Sequence, residues 1–255
     1  NNFAREIWDE KTRDKDVEIL DMARESDWSL HGPYSDKTQM RNYLTYDWSN
    51  QFGRWAVRCR FGELYLHQAG TKVDANDYWG VYVFMEKIKR GDQRLDLKKL
   101  HASETSAPEI TGGYILKNDR LDPGDSGLLT KRGLRLAYVY PKEKEGSTAQ
   151  KSYIKGFLDE LETALYGTDF KNPDTGYAKY IDVGSFIDQH ILVELTKNID
   201  GYRLSAFVFK DREGKLNMGP AWDYNLSLGN ADYLEGWNPV GWYYPLLGNP
   251  AQEYP

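Results

Sequence analysis

The chain has 255 residues, 40% of them hydrophobic, and a net charge of −6. That length and apolar content can bury one substantial core. The acidic balance argues against a nucleic-acid binder, whose domain is usually basic, and no run of about 18 apolar residues offers a membrane span. Cys59 is the only cysteine, which excludes an intrachain disulfide and metal–thiolate sites. The sequence starts at Asn1 without a recognisable secretory leader and reads as an excised fragment.

The first 25 residues are charge-rich and weakly periodic, as in an exposed helix or a lead-in segment. After a turn at His31-Gly32-Pro33, a helix is expected to start near Ser35 or Asp36, either of which suits an N-cap. Four-residue spacing would put Lys37 and Arg41 on one face of it. A lysine point charge beside an arginine fork can hold a phosphate there; the rival reading is a plain solvated face. Residues 54–61 and 63–67 alternate as a strand pair, and residues 81–84 form a short β run that ends at Glu86 and Lys87. That acid–base pair reads either as a charge pair organising a phosphate site or as a surface pair of little weight. Residues 91–110 read as loop and short helix, 114–116 as a strand, 119–127 as a polar turn, and 134–140 as a strand stopped by Pro141.

From here the period changes. Ile154, Phe157, Leu158, Leu161 and Leu165 recur at helical spacing, with Gly167 as the stop. A second helix is expected over 185–197, with Phe186, Ile187, Ile191 and Leu195 on one face. Then comes a hairpin: a strand over 204–209, a turn at 211–214, a return strand, and a further turn at Asp223. Mostly β, then mostly α, then a hairpin is an α+β order. The expected domain is 1–255, with a β-rich part over 1–140 and an α-rich part with the hairpin over 141–255.

The chemistry concentrates in residues 198–230. Asp200 follows the second helix and Asp223 follows the hairpin, so the hairpin carries both carboxylates to one side. One divalent metal or one reacting phosphate can face such a pair, since Mg²⁺ takes one or two carboxylates and completes its shell with water and phosphate. An acidic cap plus an acidic turn is the bland alternative.

Four blocks decide between these readings by resemblance. Residues 26–42 (SDWSLHGPYSDKTQMRN), 78–90 (YWGVYVFMEKIKR), 112–119 (GGYILKND) and the pair Asn198-Ile199-Asp200 and Pro220-Ala221-Trp222-Asp223-Tyr224-Asn225 stand in the order of the CotH kinase family. The resemblance implies an atypical, two-lobed protein-kinase-like fold with a central ATP cleft. It implies an ATP- and Mg²⁺-dependent kinase (Mn²⁺ in place of Mg²⁺ is allowed) acting on Ser-rich segments of spore-coat, extracellular or cell-surface proteins. Asp200 would then be the catalytic carboxylate and Asp223 the metal ligand, joined by Asn225 and Ser205. Tyr114 would stack on adenine with the Leu116 backbone beside it, and Trp222 would wall the same pocket. Glu86, Lys87, Lys37 and Arg41 would serve the phosphates.

The chain departs from the family in places. Ser205 stands where many members have Asn, Asn225 where others have Asp, and Lys117 where an acidic residue is usual. A glycine- and lysine-bearing N-terminal strand of the family is expected to be absent. Two other classes remain open. A non-catalytic coat or adhesin scaffold would keep the fold without the second metal ligand. A glycosidase would use two carboxylates with aromatic platforms, and the chain has 8 Trp and 19 Tyr. His31, His67, His101 and His190 sit in no nucleophile context.

Overall fold

A computed structural model describes residues 16–68 and 70–248. Helices mix with antiparallel sheets, as in the α+β class. A short hairpin opens the described chain: β1 (Val17–Ile19) pairs with β2 (Met22–Glu25). The charge-rich lead-in therefore holds strands, and the rest of that segment lies outside the described residues. Leu20 and Asp21 form the tight turn in left-handed conformation, with none of the glycine or asparagine that usually signals it.

Three strands follow in the order β3-β5-β4: β3 (Trp28–His31), β5 (Tyr78–Glu86) and β4 (Cys59–Tyr65). Between β3 and β4 lies helix α1 (Arg41–Gln51). It starts later than the sequence implied, because Asp36 is spent on the preceding turn. Its carboxylate accepts the Thr38 N–H and hydroxyl and also the Arg41 N–H, the first of the helix. Lys37 is therefore outside the helix, and the expected Lys37–Arg41 face does not form.

The second sheet has five strands in the order β10-β9-β6-β8-β7. These are β6 (Tyr114–Asn118), β7 (Leu128–Leu129), β8 (Arg135–Tyr140), β9 (Ala206–Lys210) and β10 (Leu216–Met218). The hairpin β9–β10 joins β6, so the expected division near residue 140 runs through one sheet. Helix α2 (Thr148–Leu165) begins with a capping box between Ser147 and Gln150 and buries Ile154, Leu158 and Leu161. Helix α3 (Val183–Thr196) ends at Lys197, which is left-handed. Its Leu192 and Val193 are buried while Ile187, Ile191 and Leu195 are exposed. Of the face singled out by spacing, Phe186 packs against the core and the other three residues point outward.

Alternation along β6 separates two cores. Ile115 packs with Val83, Met85, Leu192, Val193 and Phe207, against which Trp222 rests. Tyr114 and Leu116 pack on the opposite face with Leu136, Ile154, Leu158 and Leu161. The Gly-Gly before Tyr114 has a steric cause. A Cβ on Gly112 would lie 1.9 Å from the Arg212 nitrogen, and one on Gly113, at φ +87°, would lie 2.6 Å from the Lys98 carbonyl oxygen. No helix among the described residues is long and apolar enough to cross a membrane.

Candidate functional site

Helix α3 hands the chain to a tight turn carrying Asp200. The left-handed Lys197 stops the helix, and the Asp200 carbonyl accepts the N–H groups of Arg203 and Leu204. Asn198, 1% exposed, accepts the Asp200 N–H at 3.2 Å and also meets the Tyr224 hydroxyl. The two acidic motifs are thus tied by the asparagine of one and the tyrosine of the other. Gln189 of α3 adds a second bond to that hydroxyl, at 2.8 Å.

The Asp223 turn is held from three sides. Asp223 is left-handed, with φ 58°, a conformation that costs energy for a residue with a Cβ. Helix α1 supports it: the Tyr46 hydroxyl accepts the Asp223 N–H at 3.0 Å, and the Asn42 side-chain oxygen accepts the Tyr224 N–H at 2.6 Å. The Asp223 carboxylate accepts the Asn225 N–H, an Asx-type turn. Farther along, the Arg41 guanidinium, ion-paired with Asp36, donates to the Ser227 and Leu228 carbonyls at 3.0 and 3.4 Å. Leu228 donates to the Thr196 carbonyl of α3.

Burial pushes the Asp223 carboxyl above its ordinary value, and the charges of Asp200 and Asp119 push it further; His31 and the Asn225 N–H oppose them. Asp223 therefore has two further carboxylates close enough to act on it, Asp200 and Asp119, although the sequence pointed to Asp200 alone. Asp119 lies two residues after Lys117 at the end of β6, in a stretch whose polar composition read as an ordinary turn. Its Oδ2 accepts the Ser205 hydroxyl at 3.5 Å and lies 3.5 Å from the Lys117 Nζ. His31, at the end of β3, has a buried Nε2 that meets no hydrogen-bond partner among the described residues.

All the donors are oxygens: three carboxylates, the Ser205 hydroxyl and the Asn225 amide. Such a set suits a hard cation such as Mg²⁺. Among the described residues no three acidic, imidazole or thiol groups gather tightly enough to hold a metal by themselves. Phosphate oxygens and water would have to complete the shell.

The expected nucleotide residues are scattered. Tyr114 is 2% exposed, stacks on Tyr153, and donates its hydroxyl to the Ile110 carbonyl. Trp222 stacks on Tyr46 and meets Phe207 edge-on, on the other face of the sheet. The structure thus corrects the expectation that these two rings share a cleft. Leu116 is buried in the central strand between Val208 and Tyr138, so its backbone belongs to the sheet. Glu86 and Lys87 do not pair with each other. Glu86, fully buried, accepts two guanidinium bonds and the N–H of Arg58, while Lys87 pairs with Asp27 at 2.7 Å. Lys37 lies over the exposed Tyr34 ring, and Arg41 is committed to Asp36 and the Ser227–Leu228 carbonyls.

Residues 1–251 match the protein family described as CotH kinase protein. The chain belongs to that family. It is also similar to the inner spore coat protein H of Bacillus subtilis (strain 168), with 23% identity over 222 residues. The match covers 83% of this chain and 55% of the relative, so the chain spans about half the length of the curated relative it matches. Membership gives the clustering of motifs around Asp200 and Asp223 a common meaning. Asn198, Asn42 and Arg41 lie in the blocks that resemble the family, and here they hold the backbone of the Asp200 and Asp223 turns.

Proposed function

We propose that the chain is an ATP- and divalent-metal-dependent, protein kinase-like phosphotransferase acting on Ser residues of coat or extracellular proteins, with a two-lobed kinase-like arrangement around the carboxylates. The observation that carries this reading is the convergence of Asp200, Asp119 and Asp223 in a member of the CotH kinase family. Phosphoryl transfer asks the protein mainly for positioning and charge stabilisation, and a rigidly tethered carboxylate pair supplies both. Asp200, on its own turn, is the group to orient the acceptor hydroxyl and take its proton. Asp223 is the group to hold Mg²⁺, with Asn225 as a neutral neighbour. When bound, the metal would neutralise charge on the phosphates. Because Tyr114 and Leu116 are buried in the sheet, adenine is better received on the Trp222 side. Spore coat is the location this reading favours, since the Bacillus subtilis relative is named for it.

A scaffold that keeps the fold without catalysis is the second reading. It draws on Ser205, whose short hydroxyl turns to Asp119. The discriminating experiment incubates the full-length protein with labelled ATP, Mg²⁺ or Mn²⁺ and a Ser-rich basic peptide. The kinase transfers label to Ser, and Asp200→Asn lowers the rate about 10²-fold or more while the fold and nucleotide binding persist. No transfer and no nucleotide-dependent stabilisation overturns the kinase reading in favour of the scaffold.

A further inference from the structure

A phosphate site needs a cation, and the four basic or paired positions that sequence spacing offered are engaged elsewhere. Lys87 holds Asp27, Arg41 holds Asp36 and two carbonyls, Lys37 covers Tyr34, and Glu86 is locked to Arg58. Lys117, a departure from the family pattern, is placed differently. Alternation along β6 sets it on the face of Ile115, and its cross-strand partner Phe207 packs against Trp222, the residue before Asp223. Its Nζ lies 3.5 Å from the Asp119 Oδ2, the same oxygen that the Ser205 hydroxyl meets at 3.5 Å. The side chain keeps 23% exposure, and a single ion pair does not use up the three N–H donors of an ammonium.

We infer that Lys117 occupies, as a fixed ammonium, the Asp119–Ser205 end of the site where a second divalent cation would otherwise sit, and that it binds a phosphate of the nucleotide from there. This rests on the phosphotransfer reading above. The ammonium offsets Asp119 and leaves Asp200 and Asp223, the one or two carboxylates that a single Mg²⁺ takes from a protein. Ser205 is then no weakened metal ligand: it orients Asp119 toward the lysine. Charge-assisted contact to phosphate through a point charge is the ordinary use of lysine in nucleotide sites.

The test counts Mn²⁺ bound to the full chain in the presence of a non-hydrolysable ATP analogue, by calorimetry and electron paramagnetic resonance, for the parent, Lys117→Arg, Lys117→Met and Lys117→Glu. Melting curves without ligand confirm that each variant is folded. The parent should bind one Mn²⁺ and Lys117→Glu two. Lys117→Met should weaken analogue binding about tenfold or more, and Lys117→Arg should restore most of it. Two metals in the parent, or parent-like analogue binding by Lys117→Met, overturns the assignment of Lys117 alone. A parent that binds neither analogue nor Mn²⁺ overturns the phosphotransfer reading, and this inference falls with it.

Discussion

The Asn42 side-chain oxygen accepts the Tyr224 backbone N–H at 2.6 Å, although 182 residues separate the two. With the Tyr46 hydroxyl on the neighbouring N–H, helix α1 grips the backbone at the point where Asp223 adopts its left-handed conformation. Tyr46→Phe removes the acceptor and leaves a part-buried N–H unpaired, which should cost about 1 kcal/mol of stability. It should also raise the Mg²⁺ concentration needed for ATP to stabilise the protein. Tyr114→Phe is the matched control, because it loses a buried hydroxyl bond on the far face of the sheet. It should lower the melting temperature and leave the Mg²⁺ midpoint alone. Equal Mg²⁺ midpoints in the two variants would show that α1 does not position Asp223.

Asp36 should give the site an acid-sensitive fastening. Burial alone would raise its carboxyl, but the Thr38 hydroxyl, the Arg41 N–H and the Arg41 guanidinium outweigh it and hold the group below the ordinary aspartate value of 3.8. A depressed carboxyl stabilises the fold fully above the unfolded value and loses that contribution as the pH falls through the folded one. Asp36→Asn should therefore lower the melting temperature at pH 7. Its deficit should shrink as the pH drops below about 4, where Asp36 of the unfolded parent takes up its proton, and be gone once the folded carboxyl protonates as well. A deficit independent of pH would assign the loss to packing.

Asp223 has the opposite sign. Burial, Asp200 and Asp119 raise its carboxyl above 3.8, so the protonated form favours the fold, and that benefit is lost as the pH rises through the folded value. Asp223→Asn mimics the neutral form at similar size. Without ligand it should melt above the parent at pH 7, with the difference vanishing below about pH 3.8. With ATP it should lose the Mg²⁺-dependent part of the stabilisation. A variant that still answers Mg²⁺ like the parent would make this turn structural.

Glu86 should prove to be an anchor of the fold. It is fully buried between Arg58 and Arg94. Breaking a buried ion pair by removing one partner typically costs about 3–5 kcal/mol. Glu86→Gln should therefore lower the midpoint of denaturant unfolding strongly. The Mg²⁺ requirement for nucleotide stabilisation of the folded fraction should stay unchanged, and a shifted requirement would return Glu86 to the phosphate site.

Local chemistry fixed more of this protein than its size suggests. The spacing of Ile154, Leu158 and Leu161 marked the buried side of α2, and alternation marked β9. The order of motifs marked Asp200 and Asp223 as one site. These are short-range signals, because helix faces, strand alternation and turn residues lie within a few positions of one another. What only the tertiary structure decided was who meets whom. Sequence cannot show that Glu86 chooses Arg58 over the adjacent Lys87, since Lys87 lies just past the end of β5 and the partner arrives from the segment before β4, 28 residues away in the chain. Nor can it show that Arg41 serves two carbonyls near residue 228, or that Asp119 and Lys117 stand beside Ser205. The last of these follows from the pairing of β6 with β9, which sets Asn118 opposite Ala206. Such long-range strand pairing leaves no periodicity in the chain to read.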